Sequence, residues 1–249
     1  MDVSRYLNRI NYDGPTDVSL DTLRGLHYAH LLHVPFENMD IQRGTPIVLE
    51  QAALYKKIVE RRRGGFCYEL NGLFAQLLRE LGFEVSMLSA GVALPDGAFG
   101  PDFDHMALLV RLDRPWLADV GFGNCFLFPV LLDDSNQTTD STGVYCVKSD
   151  GSVRTLVKAS DEGAWLPLYR FTLDHHELPE YEPRSIYHQT SPDSHFVRRA
   201  VCTRATIEGR ITLSDKKLIV DEGGTRRETI LPDDKACRGA LLQHFDLAL

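Results

Sequence analysis

The stretch RRRGGFCYELNGLFAQLLRELGFEVSM (residues 61–87) changes its periodicity once, and that change sets the fold class. Leu70, Leu73, Phe74, Leu77, Leu78 and Leu81 recur at spacings of three and one, the buried stripe of an amphipathic helix. Gly82 stands where a C-terminal cap belongs, since glycine enters the left-handed region without a Cβ penalty. Beyond it Phe83, Val85 and Met87 alternate with Glu84 and Ser86, which is the period of a strand. Cys67 sits at the start of that helix. The positive end of a helix stabilises a thiolate, so the position predicts a lowered thiol pKa. A small buried cysteine is equally an ordinary packing residue, and position alone leaves both readings open.

Toward the N-terminus the helical period continues. Val3, Tyr6, Leu7 and Ile10 share one face, and Leu20, Leu23, Leu26, His27, His30 and Leu31 mark a second helix behind the cap residue Ser19. A third is predicted over 50–60, where Leu54, Ile58 and Val59 face together. In the other direction HMALLVRL (105–112) and WLADVGF (116–122) read as strands around the turn Asp113-Arg114-Pro115. Further strands are predicted near 144–148, 153–158, 197–206, 210–213, 217–220 and 226–231, and a helix from about Asp233 to Phe245. DDSNQTTDSTG (133–143) reads as a polar surface loop. Helices first, strands next and a mixture last make this an α+β chain and not a doubly wound sheet.

Composition narrows the function. The 249 residues are 43% hydrophobic and 25% charged, the profile of a soluble globular chain able to bury a substantial core. A net charge of −8 argues against a nucleic-acid partner. MDVSRYLNRI has no apolar signal core, and no run approaches a membrane span. Cys67, Cys125, Cys146, Cys202 and Cys237 are odd in number and widely spaced, which fits neither a disulfide framework nor a zinc site; reduced thiols and a cytoplasmic location are expected.

A nucleophilic cysteine needs a base and a group that orients the base. His105 opens one predicted strand and Asp119 ends the next. Pairing through the Asp113 turn brings the carboxylate beside the ring, where it fixes one nitrogen and leaves the other for the thiol. The expectation is a triad of Cys67, His105 and Asp119, with Cys67 a thiolate near neutral pH beside a protonated His105. In DHHEL (174–178) the adjacent histidines point apart, so no metal is expected there. Arg61, Arg62 and Arg63 read as a solvated charge run or as partners for a phosphate.

The blocks HVPFENMDI (33–41), RGGFCYELNGLF (63–74), HMALLV (105–110), WLADVGFG (116–123) and TSPDSHFV (190–197) closely resemble, in order, segments of the arylamine N-acetyltransferases. The resemblance implies a helical bundle over 1–84 carrying the nucleophile, a β-barrel domain over 85–190 carrying His105 and Asp119, and an α/β lid over 191–249, on a papain-like core. It implies transfer of acetyl from acetyl-CoA to the nitrogen of arylamines, arylhydrazines or N-hydroxyarylamines. Acetyl-CoA is then a cosubstrate, with no tightly bound cofactor and no metal. It also implies an acceptor pocket lined by Phe36, Phe122 and Phe196, with flat amines stacking there.

Two departures from the family pattern stand out. Asp104 precedes the histidine where relatives commonly carry Thr, and the chain is shorter at its C-terminus than many relatives, which predicts a more open lid side. Rival readings are a transglutaminase-like or papain-like hydrolase, an amide synthase with the same triad and a different acceptor, and a degenerate non-enzymatic scaffold. The papain signature around the cysteine is absent, since Gly64, Gly65 and Phe66 precede it. The sequence leaves the oligomeric state open.

Overall fold

Glycines and caps delimit the helical part of the computed structural model, which describes residues 1–133 and 135–248. Helix α1 (Val3–Arg9) and helix α2 (Leu20–His33) come first, the latter capped by Ser19, whose side chain accepts from the Thr22 N–H. A two-residue strand β1 (Phe36–Glu37) and the short α3 (Met39–Gln42) follow. The third predicted helix is α4 (Gln51–Tyr55), which widens into a π-helical turn over Lys56–Glu60. Helix α5 (Cys67–Glu80) has Cys67 as its first residue, and Gly82 takes φ +94° just past its end. Its apolar stripe is buried from Leu70 to Leu78, with Leu81 partly so, and each large side chain fully buried there stabilises the fold by about 1.5–3 kcal/mol.

Strands β2 (Glu84–Val92), β3 (His105–Arg111), β4 (Pro115–Ala118), β5 (Val130–Leu131), β6 (Thr138–Asp140), β7 (Gly143–Asp150), β8 (Val153–Ala159) and β9 (Trp165–Phe171) form one antiparallel sheet. Its order is β5-β4-β3-β2-β9-β8-β7-β6, and it curls until β5 lies against β7, a nearly closed barrel. Strand β3 is buried on both faces: Met106, Leu108 and Val110 join the core beneath α5, while Ala107 and Leu109 fill the barrel. Double burial explains why HMALLV reads as an unbroken apolar run.

After a 3₁₀ turn at Leu178–Tyr181 come α6 (Glu182–Thr190) and α7 (His195–Arg198). Strands β10 (Val201–Thr206), β11 (Gly209–Ser214), β12 (Lys217–Glu222) and β13 (Thr225–Ile230) add to β1 in a second antiparallel sheet, backed by α8 (Asp234–Phe245).

The fold differs from expectation in several places. The strand predicted from 197 begins at Val201, because Ser194 caps a helical turn by accepting from the Phe196 N–H at 3.2 Å. The loop 133–143 contains the short strand β6, and its Asp134 lies outside the described residues. Strands β1, β5 and β9 and helices α3, α6 and α7 are additional to the predicted elements. Among the described residues no helix is long and apolar enough to cross a membrane.

Candidate active site

The glycine pair ahead of Cys67 is a packing device. A Cβ on Gly64 would fall 2.0 Å from the Pro35 carbonyl oxygen, so only glycine lets the 33–38 segment lie alongside. Glu37 N–H then donates to Gly65 C=O at 2.8 Å, joining the VPFEN and RGGFC blocks. The Phe66 N–H, just before the helix, donates to Glu69 Oε2 at 3.2 Å. The arginine run divides. Arg63 is mostly buried and bonds Glu37 Oε1 at 2.7 Å and Asp40 Oδ1 at 3.0 Å, so it is no solvated charge; Arg62 meets Asp246 at the surface.

Strands β3 and β4 pair in the expected register, and Asp119 directly follows β4. His105 Nε2 donates to Asp119 Oδ2 at 2.7 Å, with both groups buried. That bond leaves Nδ1 as the ring nitrogen with a lone pair. The second carboxylate oxygen, Oδ1, accepts from Asn71 Nδ2 at 2.8 Å and from the Gly121 N–H at 2.9 Å. The Asp119 carboxyl is therefore held below its ordinary pKa against the opposing effect of burial, chiefly by His105 and these hydrogen bonds.

The helix start does not lower the Cys67 thiol. Burial pushes it well above the ordinary value, Asp104 and Asp119 add to the rise, and the backbone N–H groups of Met106 and Tyr68 act only weakly the other way. Magnitudes explain the outcome: a helix terminus contributes about 0.3–2 kcal/mol, and burying an unpaired charge costs more. The direction is opposite to the lowering that the helix start predicts.

Cys67, His105, Phe36, Phe122 and Phe196 all line one cleft of about 720 Å³. Phe196 packs against Phe36 at 6.0 Å between centroids and edge-on to Phe66 at 5.9 Å; Phe122 stands edge-on to the His105 ring at 5.1 Å. Asp119 lies behind the imidazole. The far wall is the face of the second sheet that carries Thr203, Thr212 and Ile219 in one register row.

Three further residues complete the arrangement. Asn71 lies one turn beyond Cys67 on α5; its Nδ2 also bonds the Met106 carbonyl at 2.6 Å and its Oδ1 accepts from the Val120 N–H at 2.9 Å. It fastens α5 to both strands. A polar residue on the apolar stripe, four after the cysteine, was the available signal. His27 bonds the Leu127 carbonyl through Nδ1 at 2.9 Å and accepts the Asp119 N–H at Nε2, 3.1 Å. Gly121 has no Cβ because one would lie 2.8 Å from Cys67 Cα. In the DHHEL segment His175 and His176 pair separately, with Glu177 and Glu180.

A thiol at a helix start, an imidazole opening a strand and a carboxylate fixing that imidazole make the constellation of cysteine enzymes that work through acyl intermediates. A sequence model described as N-acetyltransferase matches residues 19–249. The arylamine N-acetyltransferase of Mycolicibacterium smegmatis is 36% identical, covering 100% of this chain and 93% of its own. That of Escherichia coli strain K12 is 34% identical over 99% of this chain and 89% of its own. The solved structure of Mycobacterium marinum arylamine N-acetyltransferase in complex with CoA superposes with a TM-score of 0.91 at 33% identity, covering 98% of this chain and 92% of that one. The chain belongs to the N-acetyltransferase family and is an acyltransferase.

Proposed function

We infer that the protein moves an acetyl group from acetyl-CoA to the nitrogen of arylamines, arylhydrazines or N-hydroxyarylamines, by way of an acetyl thioester on Cys67. The observation that carries this reading is the 2.7 Å bond from His105 Nε2 to Asp119 Oδ2 beside Cys67 in an aromatic-lined cleft.

His105 Nδ1 takes the thiol proton as Sγ attacks the thioester carbonyl, and Asp119 stabilises the imidazolium that forms. The tetrahedral intermediate collapses by breaking the bond to the CoA sulfur, and the imidazolium returns the proton to that leaving thiol. This exchange of one thioester for another is close to isoenergetic. After CoA departs, the amine attacks the acetyl carbon and His105 accepts its proton, then passes it to Sγ as the Cys67 thioester breaks. Phe36, Phe122 and Phe196 hold a flat amine at the thioester and limit water, favouring transfer over hydrolysis.

In this reading residues 1–84 supply the nucleophile, 85–190 the base and its carboxylate, and 191–249 a covering lid, in a cytoplasmic and reducing setting that the cysteine pattern supports. Intact-mass measurement after mixing with acetyl-CoA alone should find one acetyl group on Cys67. Double-reciprocal plots at several fixed amine concentrations should be parallel. Intersecting lines with no trappable acyl-enzyme would mean direct transfer in a ternary complex.

A further inference from the structure

The cleft holds a second charged cluster, outside the triad. Asp104 Oδ1 accepts from Arg184 Nε at 3.0 Å and Nη2 at 2.5 Å, and His188 Nε2 stands 3.3 Å from the same oxygen. Arg184 and His188 are one turn apart on α6, so both reach it together. Arg184 is steadied in turn by Tyr187, whose ring centroid is 4.0 Å away. Tyr68 fixes the backbone on the other side, donating to the Phe103 and Asp104 carbonyls at 2.6 and 3.3 Å.

The other oxygen, Oδ2, has no hydrogen-bond partner among the described residues. It lies against Gly100, where a Cβ would come within 2.6 Å of it. Gly100, Asp104, His105 and Cys67 line the same cleft. One oxygen is thus anchored by Arg184 while the carboxylate's other oxygen is uncommitted in the cleft that holds Cys67. After burial, Asp104 has the largest effect in raising the Cys67 thiol, so its charge is felt at the sulfur although Arg184 is its partner.

We propose that Asp104 is a specificity-determining residue that keeps negative charge away from Cys67, so that the cleft takes uncharged acyl groups and uncharged amines and discriminates against those carrying a carboxylate. The proposal rests on Cys67 being the acyl carrier, and its test needs no acyl transfer. Cys67 is alkylated with iodoacetate and with iodoacetamide, reagents of similar size that differ by one negative charge. The ratio of the two rates is taken relative to the ratio for a small free thiol.

In the wild-type protein this normalised ratio should lie well below one. Removing one charge from the cleft, at an effective dielectric between the protein's and water's, changes such a ratio roughly tenfold. Asp104→Asn should therefore raise it by about that factor, and Arg184→Gln, which leaves Asp104 less compensated, should lower it. With acetyl-CoA as donor, 4-aminobenzoate should gain on 4-aminobenzamide in Asp104→Asn in the same direction. A wild-type ratio near one, or a ratio unchanged in either folded variant, overturns the proposal. Absence of an acetyl adduct on Cys67 would instead sink the acetyl-transfer reading, with the alkylation ratios still deciding what Asp104 does.

Discussion

Asp119 makes three hydrogen bonds through its two carboxylate oxygens, and only one of the three is to the imidazole. Asp119→Asn keeps the volume but can present an NH₂ group to a nitrogen that already carries a proton. The fold should survive, as judged by circular dichroism. Turnover should fall by about 10⁴, the pattern of a comparable triad. Near-normal turnover in the purified variant would make Asp119 structural. The raised thiol has its own signature. The rate of Cys67 alkylation by iodoacetamide should keep rising with pH beyond about 8.5, the value of an ordinary thiol. An acid plateau would restore the ion pair. Much of the site was legible, since Cys67, His105 and Asp119 fall at element boundaries that periodicity locates. The upward direction of the thiol's shift was not legible, because burial is a property of the assembled layers and opposes the helix end that the sequence displays. Asn71 and His27 were hidden for the same reason, each looking like one polar residue on an apolar helix face.

His27 carries α2 into the site. Burial holds its pKa at about 4, against an ordinary 6.5, so the ring that receives the Asp119 N–H is neutral. As pH falls below 6.5 the unfolded chain binds this proton first, while the folded protein refuses it until about 4. Stability present above 6.5 is therefore lost progressively down to about 4, by roughly 3 kcal/mol from this side chain alone. Urea titrations across that range should show the loss, and His27→Gln, which can keep both hydrogen bonds without titrating, should flatten it. A slope unchanged by the substitution would place the effect elsewhere. Between β4 and β5, Gly121→Ala should cost about 1–3 kcal/mol by overpacking against Cys67 and lower activity in the same variant; a thermal melt matching wild type would show that the junction can relax. The elements that sequence missed share a cause. Helix α6 buries Ser185 and His188 while exposing Ile186, so its pattern is inverted. Strand β9 carries Pro167 opposite Val157, where the register of β8 and β9 shifts, and its Leu166 is exposed. Proline and a broken alternation conceal a strand.

A buried ion network links the helices to the second sheet. Lys57 Nζ bonds Glu69 Oε1 at 2.7 Å and Asp40 Oδ2 at 2.8 Å, and Arg63 links the same Asp40 to Glu37. Glu37 belongs to β1, which pairs with β10, so the network ties the nucleophile helix to the second sheet. Lys57→Met leaves the fully buried Glu69 without its cation and should destabilise the protein by about 3–5 kcal/mol in denaturant titrations. A loss below 1 kcal/mol would mean the carboxylates find other partners. Strand β3 has a consequence of a different kind. Because its alternate residues belong to two cores, its backbone amides become reachable by solvent deuterium only when both cores come apart. They should exchange at the rate set by global unfolding, along with those of α5, while the outer hairpin β12–β13, exposed along its whole edge strand, exchanges by local fraying. The ring that opens β3 thus stands on slow-exchanging ground, whereas Ile219, on the opposite wall of the cleft, belongs to the fraying hairpin.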